Sequence, residues 1–477
     1  MLRLLFCRRH AHQPQVSIAK PPAPLSIPGA KALWTRAIAR LIVVAALMLP
    51  TAARAHCDLS ETEVGHGSPG VPADVAVVVD PGGVRRALAR HGVEIGGIYY
   101  GESFGNWGGF DQGVEYDGVL ELYLIADMHR LGFWHGLCFH ADGFQIHGNS
   151  ITTNIGSLKP ISNLEATDAT RLFELWFEQY LFDDRLTVKI GQLSADTEFI
   201  IGEGGGYFLN GTWGWPSITA ADLPSGGPAY PLAIPGVRVA LHPSDRFDLL
   251  VGVYNGDPAP SCANEHPQRC NDHGLDFELD DDPLLMVEGV YRYNRNGRLP
   301  GAVKIGGWKH FGTFEDQRFD SGGALIAVTG NSGRPLEHNW GLYGIIDQLV
   351  WRMPGSEEPK GVGVFARLIS APEDRNLIDF YTDMGVTFTG MLGNRPNDAL
   401  AIGFAYTNIS DRVTAFDADF GEPVARNYEA LIEIVYNYEI KPGWLLQPDF
   451  QYLFQPGGNV AGLKDAAVLG ARTSISF

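Results

Sequence analysis

Glu174, Trp176 and Glu178 recur at every second position of the segment RLFELWFEQYLF, residues 171–182. In an extended strand this spacing places all three on one face and Phe173, Leu175 and Phe177 on the other. An indole flanked by carboxylates suits polyhydroxylated solutes: the ring lies on the C–H face of a sugar while the carboxylates accept its hydroxyls. The same three residues also fit a plainer role, as wall groups balancing cations on facing strands. Glu121, Asp127, Asp196 and Glu198 are weaker candidates on the same reasoning. A second concentration lies in residues 201–236, a long stretch poor in charge that holds Tyr207, Phe208, Trp213, Trp215 and Tyr230. Left in water such a loop exposes much apolar surface. Folded inward it buries that surface, and its aromatics either contact solute or pack the loop against a wall.

Other chemistry is poorly supported. His135, His140 and His147 fall in one strand-like run, but His140 has the opposite parity, so no face collects the three for a metal. The glycine-rich GEGGGYF is followed by no helical pattern, which argues against a phosphate cradle. The chain has 55 acidic residues, so carboxylate pairs spaced for glycoside hydrolysis can be drawn almost anywhere and discriminate nothing. The reading assigns no catalytic residue, no metal and no cofactor.

The elements that must position the candidates are strands. The last run, 466–477, places Ala467, Leu469, Ala471, Thr473, Ile475 and Phe477 on one face and Val468, Gly470, Arg472, Ser474 and Ser476 on the other. A strand that ends on an aromatic belongs to a transmembrane barrel, where that face meets lipid and the ring joins the aromatic girdle. Residues 428–440 alternate as clearly, with Ile432, Ile434, Tyr436 and Tyr438 opposite Glu429, Glu433, Asn437 and Glu439. Pro448 implies a bulge or a gap in the next ladder. Sixteen such runs begin near residues 93, 114, 133, 168, 185, 235, 246, 284, 300, 338, 360, 376, 398, 426, 443 and 465. Tight turns at 183–184, 243–245, 294–299, 354–360, 393–398 and 441–443 alternate with longer connections near 148–167, 197–234, 256–282, 315–337 and 411–425. This is the pattern of an all-β, up-and-down antiparallel outer-membrane barrel of about sixteen strands, wide enough to hold water and narrowed by the infolded loop.

At the other end, Arg36 and Arg40 precede the apolar run LIVVAALMLP, and Ala53-Arg54-Ala55 follows it. This is the layout of an export signal covering residues 1–55, with a long charged region that points to a later translation start. A lead-in follows at 56–91, with a short helix over 84–90 that Asp80 caps and Pro81 opens, and the barrel occupies 92–477. The formal charge is −19, and the eight Lys and Arg of residues 1–55, unaccompanied by acids, take it to about −27 once removed. Such an acidic chain excludes nucleic acid as a partner. No uncharged apolar stretch after Pro50 is long enough for a helical span, so a membrane crossing must use a closed sheet. Of the five cysteines, Cys7 leaves with the signal, Cys262 and Cys270 are spaced for a loop-stapling disulfide, and Cys57 and Cys138 have no assigned partner.

The segments FQIHG (144–148), ISNLEA (161–166), RLFELWFEQYLFDDRLTVKIGQLSADTEFI (171–200), FLNGTWGWP (208–216) and GGPAYPLAIPG (226–236) resemble the carbohydrate-selective porins of Gram-negative outer membranes, the OprB family. The likeness runs from about residue 92 to residue 477. It implies a sixteen-stranded barrel, facilitated diffusion of sugars, and a constriction of charged and aromatic side chains. On the matched block it makes Arg171, Glu174, Trp176, Glu178, Asp196, Glu198, Trp213 and Trp215 lumen or constriction residues. The expected function is passive passage of mono- or small oligosaccharides into the periplasm. Its alternatives are a general or cation-preferring porin and a secreted all-β carbohydrate-binding protein. The expected surroundings are carbohydrate solutes, outer-membrane lipid and, through Phe477, the barrel-assembly machinery. A homotrimer and a monomer both fit.

Overall fold

The computed structural model describes residues 57, 83–259, 265–295, 299–356, 360–391, 393 and 395–477. The expected signal, and Asp80 and Pro81, lie outside them. Val84–Arg90 forms a short helix, α1, whose Arg85 Nε donates to the carbonyl of Ile95 at 3.0 Å.

Sixteen antiparallel strands follow: β1 (Val93–Trp107), β2 (Val114–Asp127), β3 (Leu137–Gly148), β4 (Ala169–Leu181), β5 (Leu186–Leu193), β6 (Ile234–Ser244), β7 (Phe247–Tyr254), β8 (Leu284–Tyr293), β9 (Gly301–Asp320), β10 (Gly333–Arg352), β11 (Gly361–Ser370), β12 (Ile378–Thr389), β13 (Ala399–Ile409), β14 (Tyr428–Lys441), β15 (Trp444–Phe454) and β16 (Ala466–Ser476). Each pairs with its neighbours in sequence, and β1 pairs with β16 from Ile98↔Ser476 to Trp107↔Ala467, which closes the barrel. Phe477 completes the seam by exchanging backbone hydrogen bonds of 2.9 and 3.0 Å with Gly97. Closure satisfies every ladder without an edge, as a hydrocarbon surrounding requires.

The two faces separate as the alternation requires. Leu342, Leu368, Ile434, Phe450 and Leu469 point outward and are exposed, whereas Glu433, Val435, Gln451, Val468 and Arg472 point inward and are buried. The connections gather by length, the longest (149–168, 194–233, 255–283) at one end and turns such as Pro442-Gly443 at the other. Pro448 leaves a gap and not a bulge: β14 pairs with β15 at Val435↔Asp449 and again at Tyr438↔Leu446 in unchanged register.

Three expectations need correction. β3 begins at Leu137 and not near 133, so His135 sits in the preceding turn. β9 and β10 run past the expected bounds, so residues 315–320 and 333–337 at the two ends of the connection expected at 315–337 are strand. Beyond His310, β9 no longer pairs with β8, and before Leu342, β10 does not pair with β11. The two therefore pair with each other as a hairpin beyond the barrel wall, held by Gln317 to Asp374 and Arg375 and by Arg318 to Asp419, and there the apolar alternation has no reason to persist. In β4 the register shifts between Ala141↔Leu175 and Gly143↔Leu172. This bulge turns Phe173 inward beside Glu174, into a buried cluster with Phe144 and Ile146 and against Tyr230, so Phe173 does not share the lipid face of Phe177. Cys57 and Cys138, to which the sequence assigns no partner, form a disulfide with Cα atoms 5.6 Å apart. Cys270 is disulfide-bonded too, and Cys262 lies outside the described residues.

Candidate functional site: the infolded loop and the facing wall

The connection between β5 and β6, residues 194–233, folds into the barrel. Its apolar side chains Phe199, Ile200, Phe208, Leu209, Trp213, Ile218 and Leu223 form one core with inward residues of the wall, among them Tyr254, Met286, Tyr343, Phe365, Ala401, Ala405, Leu431 and Val435. Gly403 on β13 makes room for this seat, since a Cβ there would lie 2.5 Å from the Trp213 ring and 2.8 Å from Phe208. The two rings stack on each other at 4.3 Å, with Phe365 edge-on.

A loop inside a barrel carries backbone N–H groups that must find partners. Inward carboxylates supply them. Glu288 accepts from Ile200 N at 3.0 Å, Asp347 from Gly204 N at 2.9 Å, and Glu433 from Leu209 N and Trp213 Nε1, both at 2.6 Å. Asn210 Nδ2 donates to Gln451 at 2.9 Å, and Ser217 shares a 2.8 Å hydrogen bond with Thr407. The connection 149–168 is also drawn inward, which the sequence reading did not anticipate. Buried Lys159 pairs with buried Glu429 at 3.3 Å, and Arg472 binds Glu102, Ser162 and Asn163 at 2.6–2.8 Å.

Strands β2 to β6 present a polar strip. The bulge in β4 lets Glu174, Trp176 and Glu178 follow Arg171 and Phe173 on the inner face. Trp176 Nε1 donates to Glu174 at 3.2 Å. The His140 ring, from β3, stacks on the indole at 4.8 Å and an interplanar angle of 11°. Lys189, from β5, places its Nζ 4.4 Å from the same ring centroid. Because β3 and β5 flank β4 on opposite sides, the indole is held between an imidazole and an ammonium, a packing that favours cation–π attraction. Lys189 also bonds Glu198, and Arg238 on β6 bridges Glu198 and Glu178, the latter at 2.8 Å. Burial alone raises the Glu198 carboxyl, but the Lys189 and Arg238 cations outweigh it and hold it at about 2. Asp142 accepts from Glu174 N at 2.6 Å and stands 3.7 Å from His140. Glu121 lies beside Asp142 and Glu174.

The remaining expected site residues fall elsewhere. Arg171 is buried and donates to the carbonyl of Asn271, tying down the 255–283 connection. Asp196 accepts from Tyr230 N at 2.9 Å, bracing the two ends of the infolded loop, and burial pushes its carboxyl up to about 7. Trp213 is 2 % exposed within the loop core. Trp215 is half-buried and donates to Gly226 O at 2.8 Å. Asp127, at the turn end of β2, accepts from His129 N at 3.0 Å. The sequence reading missed His140, Asp142, Lys189 and Arg238 as members of the strip. The last two carried a signal, each being a lone cation at the inward parity of an aliphatic strand, LTVKIGQL and IPGVRVALHPS. Among the described residues no cluster of His, Cys, Asp and Glu could hold a metal ion.

Comparison with known proteins agrees with this architecture. The chain is 24% identical to Porin B of Pseudomonas aeruginosa over 439 residues, covering 83% of this chain and 90% of the relative. The high-pH structure of Pseudomonas putida OprB superposes with a TM-score of 0.75 at 21% identity, covering 84% of this chain and 98% of that one. The low-pH structure of the same protein gives 0.51 at 18% identity over the same shares. Residues 111–477, most of the barrel, match the family described as carbohydrate-selective porin, OprB family, and the chain belongs to that family.

Proposed function

We propose that this outer-membrane carbohydrate porin selects mono- or small oligosaccharides where the latched loop 194–233, which contributes Glu198, meets the wall strip of Glu174, Trp176, Glu178, Lys189 and Arg238. The observation that carries the reading is the loop itself. It is anchored by buried carboxylates and aromatic packing on β8, β10, β13 and β14, while its first residues, Ser194 and Glu198, bond Glu174, Lys189 and Arg238 of the charged strip. Carboxylates and cations held in register by one another offer acceptors and donors to sugar hydroxyls. Weak contacts at several such groups speed passage without trapping the solute. In this reading Trp176 meets solute by its free edge, its two faces being covered, while Trp213, Trp215, Arg171 and Asp196 act by fixing loops. Glu121 extends the acidic side of the strip.

No covalent step is implied, and the chain acts as a passive channel and not as an enzyme. The turn end faces the periplasm, outward aliphatic side chains meet lipid, and Phe477 at the seam serves as the signal for the assembly machinery. Residues 1–55 direct export. Liposome swelling tests the reading: sugars enter faster than non-sugars of equal size, and equal rates would reject selectivity. A cation-preferring channel is the second reading. Glu121, Asp142, Glu174, Glu178 and Glu198 outnumber Lys189 and Arg238 along the strip. A reversal potential near zero in a salt gradient excludes it.

A further inference from the structure

We propose that Arg367, on β11, is the positioning residue that sets the width of the constriction, by closing the infolded loop into a ring around its own guanidinium. Arg367 is 2 % exposed and points inward between Phe365 and Ile369. Its Nη1 donates to Ile200 O at 2.7 Å and Gly214 O at 3.2 Å, and its Nη2 to Thr212 O at 2.9 Å and Trp213 O at 3.0 Å. Its Nε donates to Asp383 Oδ2 at 3.0 Å, and Nη2 reaches the same oxygen. Every N–H of the planar fork therefore has an acceptor.

The partners make the arrangement more than an internal salt bridge. Ile200 lies early in the loop, and residues 212–214 are the last two residues of the 3₁₀ segment Gly211–Trp213 and the glycine that follows it. The carbonyl of Ile200 and the three consecutive carbonyls of residues 212–214, more than ten residues further along the chain, converge on one cation, so the distance between the two arms is fixed by the size of the guanidinium. Asp383 on β12 holds the fork in the wall, and Tyr381 steadies both: its hydroxyl is 2.7 Å from Asp383 Oδ2 and accepts from Thr212 Oγ1 at 3.0 Å. A Lys ammonium has three donors on a flexible stem and reaches at most a subset of these acceptors. The role of Arg367 is thus geometric. It leaves the charge of the bore to other groups, because Asp383 neutralises it in place.

The experiment is single-channel recording of the full chain in planar bilayers, comparing wild type with R367K. The positive charge is retained, so the reversal potential in a salt gradient should stay at the wild-type value. Conductance should rise and become noisy as the arms separate, and the sugar concentration for half-block should rise on the order of ten-fold, the worth of one lost hydrogen bond to a charged group. D383N, which keeps the side-chain shape but removes the charge that pairs the fork to the wall, should shift conductance in the same direction, and it serves if R367K does not assemble. Wild-type conductance, noise and half-block in an assembled R367K or D383N channel would overturn the proposal. So would a changed reversal potential with unchanged sugar block, since that is the mark of a charge effect alone. Loss of sugar selectivity in the wild-type channel itself would reject the selectivity reading above while leaving the conductance difference to judge Arg367.

Discussion

Glu433→Ala should release the infolded loop while leaving the barrel standing. Glu433 accepts hydrogen bonds from Leu209 N at 2.6 Å, Asn210 N at 3.3 Å and Trp213 Nε1 at 2.6 Å. All three donors belong to residues that are 2 % exposed or less. Removing the acceptor strands them where only water entering the vacated space can pair them, at a cost of about 1–3 kcal/mol per unpaired donor. With partial rehydration, roughly 3–6 kcal/mol of docking free energy is lost. The strand ladder is untouched, because Glu433 remains paired through its backbone to Gln451 and Gly403. The assay is amide hydrogen exchange in detergent micelles or nanodiscs, followed peptide by peptide. If the loop opens as a local unit, exchange across 207–214 should accelerate by about 10²- to 10⁴-fold, at 1.4 kcal/mol per decade. Exchange in β13 to β15 and the heat-modifiable gel shift should be unchanged. Glu433→Gln keeps one acceptor oxygen and should fall between. Protection of 207–214 within a few-fold of wild type in Glu433→Ala would refute the claim that carboxylate anchors, rather than apolar packing alone, hold the loop.

Three further outcomes can be checked. Trp176→Ala removes the ring held between His140 and Lys189, and sugar block of ion current should weaken roughly two- to ten-fold, the worth of one aromatic contact; unchanged block removes Trp176 from the solute path. Burial pushes Glu165, in the 149–168 connection, up to about 7, even though Ser150 and Thr152 bond its carboxylate. The docked state therefore favours the protonated acid. Docking should be strongest below the ordinary value of 4.5 and weaken as pH rises through 7, by on the order of 3 kcal/mol. Exchange of 149–168, corrected for intrinsic rates, should be less protected at pH 8 than at pH 5, and E165Q should flatten the difference; a pH-independent wild type refutes the assignment. Non-reducing peptide mapping should recover Cys57 cross-linked to Cys138, and a Cys57 peptide found free or joined elsewhere would contradict the pairing.

The sequence by itself determined the strands, their number and their faces, since a period of two is a local property and lipid outside with water inside enforces it along each run. Residues 428–440 and 466–477 show it best: their outward and inward sets are those read from alternation alone. The infolding of the aromatic segment was legible for a similar reason, because a long, charge-poor, ring-bearing loop has nowhere else to bury its surface. Tertiary structure decided what alternation cannot encode. A bulge adds one residue to one strand only, so the inward turn of Phe173 depends on how β4 meets β3. The pairing of Cys57 with Cys138, across 81 positions, depends on where the lead-in meets the wall. The ends of β9 and β10 beyond the wall bond to polar loop residues and carry no regular apolar stripe. The anchors of the loop, Glu288, Asp347, Arg367 and Glu433, are scattered over β8, β10, β11 and β14, and each looks in sequence like any other inward polar residue. They become a set only when the barrel closes, because it is the position of the loop's backbone donors and carbonyls in the bore that selects which inward groups have partners.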